Sequence, residues 1–443
     1  MSIETQTIQR QVWQLQRHAA SLLIYRAVLD DPIGQAFLTV LACLQQENDS
    51  SFDCLYAYGQ WFSRLAEHRQ SWQHYLISQI LGADTPFSQQ VQHDNLDGLP
   101  PALTAAVVHD LRALQALYSC TSQQASRWTQ HIAQLDEPPI AWEGSADPNP
   151  SANSLQSCPI WQKLEQSEDW GDAVDELAAY HRQVGAGLYA QYRALRWHAG
   201  QLVGIAHPDP IRLQDLAGYS HQHQALLQNT QALLAGYPAL HVLLYGSRGS
   251  GKSSLVKSLV NAFGDRGLRL VEVAKSDLND LPTIVDHLRP VPQKFIVFVD
   301  DLSFEEDDDA YKALKVVLEG SLTARPQNVV VYATSNRRHL IREFFGDRPR
   351  PSDSDEIHAW DTVQEKLSFS DRFGLTLTFE PADQSTYLTI VHHLAQQFEL
   401  SLSEDELTHR ALQWATRHNG RSGRTARQFV DFLRSELALS APE

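Results

Sequence analysis

Eight consecutive residues carry the clearest chemistry in this sequence. They are Gly246, Ser247, Arg248, Gly249, Ser250, Gly251, Lys252 and Ser253, in the spacing of a Walker A phosphate loop. The amides of such a loop converge on phosphate oxygens at the positive end of a helix, which requires a buried strand before the loop. Residues 241–245 form a short apolar run, and apolar residues recur at helical spacing over 255–263. Both flanks therefore support a phosphate-binding loop.

Each residue type in this loop has a defined task. The three glycines permit backbone angles and a close approach to phosphate that side chains would block. Lys252 brings a point charge to the terminal phosphates, and the hydroxyl of Ser253 is offered to Mg²⁺. Arg248 occupies a variable position, where a solvated side chain is expected. The predicted nucleotide-binding run extends from Gly246 to Ser254, although Ser254 is a helix residue that is not itself expected to be a ligand.

An acidic pair, Asp300-Asp301, follows a second apolar run in a Walker B pattern. A strand of this kind delivers a carboxylate to the point where Mg²⁺ is held, so Asp300 and Ser253 are the predicted metal ligands. Asp301 stands where many such ATPases have a glutamate that orients the attacking water, and Glu305 is an alternative for that task. Helix capping explains the acids at 307–309, but it does not explain Asp300 at the end of a buried strand.

Three further polar residues complete the candidate catalytic set. Asn336 stands at the tip of another strand, where its amide could bond water or the terminal phosphate rather than only form a turn. Arg372 precedes the last strand and could reach the nucleotide of a neighbouring subunit; a surface pair with Asp371 is the alternative. Arg424 opens a helix facing the site and could bridge it to phosphate, with Arg427 as its rival.

The elements that must position these residues are strands alternating with helices. The five strand-like segments are Val242–Tyr245, Leu268–Val273, Phe295–Val299, Val329–Ala333 and Leu375–Phe379. Nearly continuous apolar strands separated by helices predict an α/β fold, with a parallel sheet covered on both faces and the ligand at the strands' carboxyl ends. The predicted divisions are an all-helical N-terminal region at 1–135, a linker at 136–160, a helical connector at 161–210, a nucleotide-binding core at 211–382 and a helical lid at 383–443.

Composition narrows the function classes. The net charge of −17 disfavours a surface that grips nucleic acid. No secretory signal and no run long enough for a membrane span are visible, so we expect a cytoplasmic protein. The four cysteines show no Cys-x-x-Cys spacing, which predicts reduced thiols rather than a disulfide framework or a zinc site.

The chain from about Asp215 to Phe432 resembles an AAA+ ATPase, and its sequence is most similar to the family called domain of unknown function 815. The residues that carry this closer resemblance are Leu216–Tyr219, Asp300–Glu305, Ala333–Leu340 and Ser370–Leu375. The resemblance implies a five-stranded core in the order 5-1-4-3-2, a helical lid, ATP with Mg²⁺, and a homo-oligomeric ring or partial ring. It also implies sensor roles for Asn336 and Arg424, an arginine finger at Arg372, and adenine near Gly218 and Tyr219.

Three functions are compatible with this sequence. The first is an ATPase whose hydrolysis remodels or regulates an unknown protein partner, and the second is a nucleotide-gated binding module with little turnover. A DNA-associated motor is a third possibility, and the acidic net charge makes it weaker than the other two. Residues 275–278 lack the aromatic pore loop by which protein unfoldases grip a substrate, so threading is disfavoured. The aspartate at Asp301, in place of glutamate, predicts slow turnover.

Overall fold

The computed structural model describes residues 3–45, 51–144, 158–304, 310–319, 325–336, 368–418 and 420–440. The chain divides into two compact units, Met1–Gln191 and Tyr192–Glu443. None of the described helices has the length and apolar character needed to cross a membrane. Glu305 of the candidate catalytic set lies outside the described residues.

The first unit consists of helices in its described residues. They are α1 (Ile3–Ala20), α2 (Pro32–Gln45), α3 (Ser51–Glu67), α4 (Trp72–Gly82), α5 (Pro86–Gln90), α6 (Pro101–Tyr118), α7 (Ser122–Ala133), α8 (Pro159–Gln166), α9 (Val174–Val184) and α10 (Leu188–Gln191), with 3₁₀ turns at Arg26–Leu29, Leu96–Gly98 and Trp170–Ala173. Apolar stripes of these helices face one another, as helical spacing predicts for residues 5–135. Their core contains stacked aromatic rings, with the ring centres of Phe37 and Trp72 4.0 Å apart.

A buried carboxylate also holds this unit together. Asp110 on α6 is fully buried and accepts hydrogen bonds from the backbone N–H groups of Leu23 (2.9 and 3.0 Å), Ile24 (2.7 Å) and Tyr25 (2.9 Å). These donors lie in the turn after α1, so the contact fixes that turn against α6. A buried charge persists only where several donors satisfy it, and these amides meet that need.

The second unit contains a seven-stranded sheet flanked by helices. Its elements are β1 (Ala194–His198), β2 (Gln201–Gly204), α11 (Ser220–Leu234), β3 (Val242–Gly246), α12 (Lys252–Phe263), β4 (Leu268–Glu272), α13 (Leu281–Leu288), β5 (Lys294–Val299), α14 (Ala310–Glu319), β6 (Val329–Ser335), β7 (Leu375–Phe379), α15 (Gln384–Gln397), α16 (Glu404–Arg417) and α17 (Gly423–Ser440), with 3₁₀ turns at Leu213–Asp215, Gly264–Arg266, Lys275–Asp280 and Ser368–Arg372. The strand order is β2-β1-β4-β5-β6-β3-β7. Strands β1 and β2 pair antiparallel, and the other neighbours pair parallel.

The prediction of a five-stranded, wholly parallel sheet is wrong, because the hairpin β1–β2 extends the sheet beyond β4. The full strand order differs from the predicted 5-1-4-3-2 by these two added strands. Residues 194–204 were expected to belong to a helical connector. Instead Leu195 and Trp197 are buried while Arg196 and His198 are exposed, the alternation of a strand. The turn at residues 199–200 has φ of 50° and 80°, which suits a tight hairpin.

The helices α15, α16 and α17 pack around a core of their own, and we call this group the lid after the prediction for residues 383–443. Tyr387, Val391, Ala411, Phe429 and Leu433 are among its buried residues. Ser403 begins α16 by accepting a hydrogen bond from the Glu406 amide at 3.3 Å, the usual side-chain contact of a serine at a helix N-cap. The start of α17 is the part of the lid that reaches the candidate site.

Candidate functional site

The register of three parallel strands explains why the candidate residues meet. Tyr245 of β3 pairs with Ser335 of β6, and Val299 of β5 pairs with Ala333 of β6. The phosphate loop therefore begins beside Asn336, and the acidic pair begins beside Thr334. All three strands end at the same edge of the sheet, where parallel α/β folds place their ligands.

The phosphate loop needs glycine at its first position. Gly246 has φ of 138°, and a Cβ there would lie 1.9 Å from the Phe379 carbonyl oxygen at the end of β7. The Ser247 amide donates to the same oxygen at 2.9 Å, so the loop starts tight against β7. Gly249 and Gly251 also have positive φ, 76° and 89°, and α12 follows at Lys252. Glycine is required where the chain is this crowded and left-handed.

Lys252 is 6% exposed, and its ammonium bonds back to the loop. Nζ donates to the carbonyl oxygens of Ser247 at 2.7 Å and Gly246 at 3.1 Å, and it lies 3.5 Å from Asn336 Oδ1. Burial lowers the pKa of Lys252, and the nearby charges of Asp300 and Asp301 oppose that shift. The loop thus holds a largely desolvated cation against its own carbonyl oxygens, an arrangement suited to an anion.

Ser253 and Asp300 lie together, as expected of two ligands of one cation. Ser253 Oγ donates to Asp300 Oδ1 at 2.6 Å, and the Asp301 amide donates to the same oxygen at 3.1 Å. Thr334, which the sequence analysis did not single out, also donates to Asp300 Oδ1 from its hydroxyl. A hydroxyl and a carboxylate oxygen are the hard donors that Mg²⁺ prefers.

Asp301 and Asn336 form the second contact of the site. Asn336 Nδ2 donates to Asp301 Oδ1 at 2.6 Å, and the Asp301 amide donates to Thr334 Oγ1 at 2.9 Å. Asp301 has φ of 50°, a left-handed conformation that is uncommon outside glycine, asparagine and aspartate. Asn336 is therefore positioned to orient the Asp301 carboxylate as well as to reach Lys252.

The family of the chain follows from its sequence over this part of the molecule. The family model described as "Protein of unknown function (DUF815)" matches residues 190–437, more than half of the chain. The chain belongs to the DUF815 family. The predicted resemblance is thereby confirmed. No protein of curated function matches the sequence.

Solved structures similar to this DUF815 protein share little sequence with it. A point mutant of Thermotoga maritima RuvB is 16% identical with a TM-score of 0.36, over 52% of this chain and 67% of that one. The Thermotoga maritima RuvB Holliday junction branch migration motor is 13% identical with a TM-score of 0.30, over 51% and 72%. Replication initiator DnaA bound to AMPPCP and single-stranded DNA is 16% identical with a TM-score of 0.34, over 51% and 65%.

The lid of the DUF815 protein touches the phosphate loop at Gly249. The Arg424 amide donates to the Gly249 carbonyl oxygen at 3.1 Å, and a Cβ on Gly249 would lie 3.0 Å from Arg424 Cβ. The rival Arg427 pairs instead with Asp431 at 3.2 Å on its own helix and stacks on Phe398. The structure therefore brings Arg424, rather than Arg427, to the loop.

Arg372 lies apart from these contacts. Its guanidinium forms an ion pair with Glu319 at the end of α14, and its side chain is 17% exposed. This ion pair joins Arg372 to another element, and the alternative of a surface pair with Asp371 stays a prediction. Among the other loop residues, Arg248 is exposed and Ser254 lies in the first turn of α12.

Gly218 and Tyr219 lie between the lid and β7, the strand whose end contacts the phosphate loop. The Tyr219 hydroxyl donates to the Glu380 carbonyl oxygen at 2.6 Å, just after β7. A Cβ on Gly218 would lie 3.2 Å from the side chain of Thr386 on α15. The segment before α11 thus links the edge of the sheet to the lid beside the phosphate loop, and its contact with adenine stays a prediction.

Proposed function

We propose that the second unit binds ATP with Mg²⁺ and hydrolyses it. The observation that carries this proposal is the convergence of Lys252, Ser253, Asp300, Asp301 and Asn336 within hydrogen-bonding distance at one edge of the sheet. A purely structural role accounts for any one of these contacts, but not for all of them in one place. A buried lysine, a hydroxyl–carboxylate pair and an amide-bound second carboxylate together are what phosphoryl transfer to water requires.

The residues gathered at this edge of the sheet fit both ATP and Mg²⁺. In the part of the chain that the structure describes, the buried Lys252 ammonium bonds to loop carbonyls and to neutral side chains, so a phosphate oxygen would be a stronger partner for it. The amides of Gly249, Gly251 and Lys252 would hold the phosphates, while Ser253 and Asp300 would hold the cation. When bound, Mg²⁺ and ATP supply an electrophilic phosphorus with a leaving group whose charge is partly neutralised.

The protein's own residues would then act on water. The Asp301 carboxylate would accept a hydrogen bond from the attacking water and orient it, and Asn336 Nδ2 would keep that carboxylate in place. Glu305 remains the alternative for this role. Arg424 would contribute positive charge from the lid because its backbone already contacts the loop.

Arg372 would act on the nucleotide of a neighbouring subunit, in a ring or partial ring of identical chains. The ion pair with Glu319 holds its guanidinium within its own subunit. Action in trans therefore requires that this pair open when subunits associate. An arginine supplied in trans adds roughly 10³ to 10⁵ in rate in measured phosphoryl-transfer systems. A protein partner, remodelled or regulated by the ring, is part of this proposal.

Phosphate release by the purified full-length protein tests the proposal. We expect slow, Mg²⁺-dependent release from ATP that Lys252→Ala abolishes, because the substitution removes the charge that holds the terminal phosphates. Lys257→Ala, on the same helix α12, is the matched control and should leave the rate unchanged. Release that stays at background over a wide range of protein concentrations, with ATP bound, would reject hydrolysis.

A nucleotide-gated binding module is the second candidate, and the contact between Arg424 and Gly249 favours it. Because the lid touches the loop directly, a bound triphosphate would alter the lid without any turnover. Protection of the lid from protease by a non-hydrolysable ATP analogue, together with no phosphate release, would favour this module over the ATPase. Equal protection with and without nucleotide would argue against it.

A further inference from the structure

We propose that Thr334 is the positioning residue of the acidic pair: its hydroxyl orients the Asp300 carboxylate and holds the backbone turn that carries Asp301. The proposal rests on the proposed function, because it names a residue that serves the same site. Thr334 is 2% exposed and stands at the end of β6. Its hydroxyl donates to Asp300 Oδ1 and accepts from the Asp301 amide at 2.9 Å. One hydroxyl group thus contacts both residues: it donates its proton to the Asp300 carboxylate and accepts from the Asp301 amide with a lone pair.

The first consequence concerns the face of Asp300 that is left for a cation. Oδ1 of Asp300 accepts from three donors, namely Thr334 Oγ1, Ser253 Oγ and the Asp301 amide. Among the residues that the structure describes, none donates a hydrogen bond to Asp300 Oδ2. A carboxylate whose one oxygen is fully engaged is fixed in rotation, so its other oxygen is presented in a constant direction.

The second consequence concerns the left-handed conformation of Asp301. Its φ of 50° is held on the amide side by Thr334 Oγ1. On the following residue, the Leu302 amide donates to the Thr334 carbonyl oxygen at 2.7 Å, and Ser335 Oγ donates to the Leu302 carbonyl oxygen at 2.8 Å. The end of β6 therefore encloses the turn that carries Asp301. Strained conformations persist where neighbouring contacts over-determine them in this way.

A purely structural role for the hydroxyl is the competing explanation, and Thr230 supplies the matched control. Thr230 is fully buried in the same unit and donates its hydroxyl to the Leu226 carbonyl oxygen at 2.8 Å. Its Oγ1 also lies 2.9 Å from the hydroxyl of Tyr332, a residue of the same strand as Thr334. Thr230→Val and Thr334→Val therefore delete the same group from comparably buried positions, and only the second deletion touches the acidic pair.

The experiment uses the full chain and compares Thr334→Val, Thr334→Ser and Thr230→Val with the natural protein. Titration calorimetry measures ATP binding in chelator and over a range of Mg²⁺ concentrations, and phosphate release measures turnover. For Thr334→Val we expect the half-saturating Mg²⁺ concentration to rise and kcat to fall, each by about tenfold, because partners of metal ligands typically matter to that extent. ATP binding in chelator should stay within about twofold, since the phosphate loop is unchanged. Thr334→Ser should restore both quantities, and Thr230→Val should alter neither.

A measurement without nucleotide separates this inference from the proposed function. Hydrogen exchange at the Asp301 and Leu302 amides should quicken in Thr334→Val and remain natural in Thr334→Ser, because only the serine keeps an acceptor for the Asp301 amide. If valine prevents folding, Thr334→Ala against Thr334→Ser repeats the comparison.

The inference is overturned if valine and serine variants behave alike, or if Thr230→Val shifts the Mg²⁺ dependence as much as Thr334→Val does. Natural protein that binds no ATP would refute the proposed function, while faster exchange at Asp301 in Thr334→Val would still support the positioning contact.

Discussion

At the scale of single residues, Asn336 links the two charged parts of the site. Its Nδ2 donates to Asp301 Oδ1 at 2.6 Å, and its Oδ1 lies 3.5 Å from Lys252 Nζ. A side-chain amide can donate to a carboxylate through its NH₂ group and accept from an ammonium through its oxygen at once. This double contact gives Asn336 a task that neither a turn-forming asparagine nor an acid can perform at neutral pH.

The substitution Asn336→Asp tests that task through its pH dependence. Two carboxylates at this distance cannot both be ionised without mutual repulsion, so the pKa of one of them rises. The protonated form can donate a hydrogen bond as the asparagine does. We therefore expect kcat to fall by about 100-fold at pH 8 and to recover as the pH falls through that raised pKa. Rates measured from pH 5 to 8 check this, and Asn336→Ala, which should show no such recovery, is the control.

In the first unit, Asp110 is a buried polar residue whose loss should cost stability. Asp110→Ala would leave the amides of Leu23, Ile24 and Tyr25 without their acceptor. Tyr25 is the fully buried member of this group, and a buried donor left unsatisfied costs about 1 to 3 kcal/mol, so we expect a loss of that size in the free energy of unfolding. Urea unfolding followed by tryptophan fluorescence measures it. Asp110→Asn keeps one acceptor oxygen and should lose less, and equal losses in the two variants would contradict this account.

At the scale of elements, the strands that carry the site could be predicted, whereas the hairpin could not. Strands β3, β5 and β6 are buried on both faces, and their continuous apolar runs are distinctive in a sequence. The strands of the hairpin β1–β2 are short, alternate in exposure and follow residues with a helical pattern. Their strand conformation therefore depends on the pairing of β1 with β4.

Contacts between distant elements could not be predicted from the sequence, because they too depend on how strands and helices pair. Thr334 stands next to a predicted residue, Asn336, but its bonds to the acidic pair follow from the register of β5 and β6. The run Thr334-Ser335-Asn336, polar at the end of an apolar strand, was the available signal. The ion pair of Arg372 with Glu319 left no comparable signal, because the two lie on elements separated by a long stretch of chain.

The contact between the lid and the phosphate loop can be tested with two glycines. Gly249→Ala would place a Cβ 3.0 Å from Arg424 Cβ and 3.1 Å from Ser422 Oγ, so the start of α17 should be pushed away from the loop. Gly251→Ala meets nothing within 4 Å although its φ is also positive, so it reproduces the backbone strain alone. We expect hydrogen exchange at the start of α17 to increase by about tenfold in Gly249→Ala only.

A matching increase in both alanine variants would mean that loop strain, rather than the lid contact, controls the start of α17. The consequence for ATP follows from the same geometry. Because Arg424 is proposed to add charge from the lid, Gly249→Ala and Arg424→Ala should each weaken ATP binding, by about tenfold. Calorimetry on the two variants and the natural protein measures the difference.

At the scale of the whole molecule, the proposed activity depends on how many chains build one site. Lys252 and the acidic pair come from one subunit, and Arg372 is proposed to come from the next. Within the single chain, Arg372 is already paired with Glu319, so an isolated subunit would lack the arginine at its nucleotide. Association would then raise the rate per chain, and the rate should increase more than linearly with protein concentration.

Mixing two inactive variants tests the sharing of sites between subunits. Lys252→Ala keeps the arginine but cannot hold the terminal phosphates, and Arg372→Ala keeps the phosphate loop but supplies no arginine to its neighbour. In a mixed ring, sites whose loop comes from the second variant and whose arginine comes from the first are complete. With equal amounts and random assembly, roughly a quarter of the natural rate should return, because each interface in a ring joins the same two surfaces.

Glu319→Gln supplies the control for the resting state of Arg372. The substitution keeps the size of the side chain but removes the charge that pairs with the guanidinium, so the arginine should be held less tightly within its own subunit. We expect the natural rate or a higher one, reached at a lower protein concentration. If the mixture of Lys252→Ala and Arg372→Ala stays inactive while each variant still assembles, Arg372 does not act between subunits and its pair with Glu319 is a structural contact of α14.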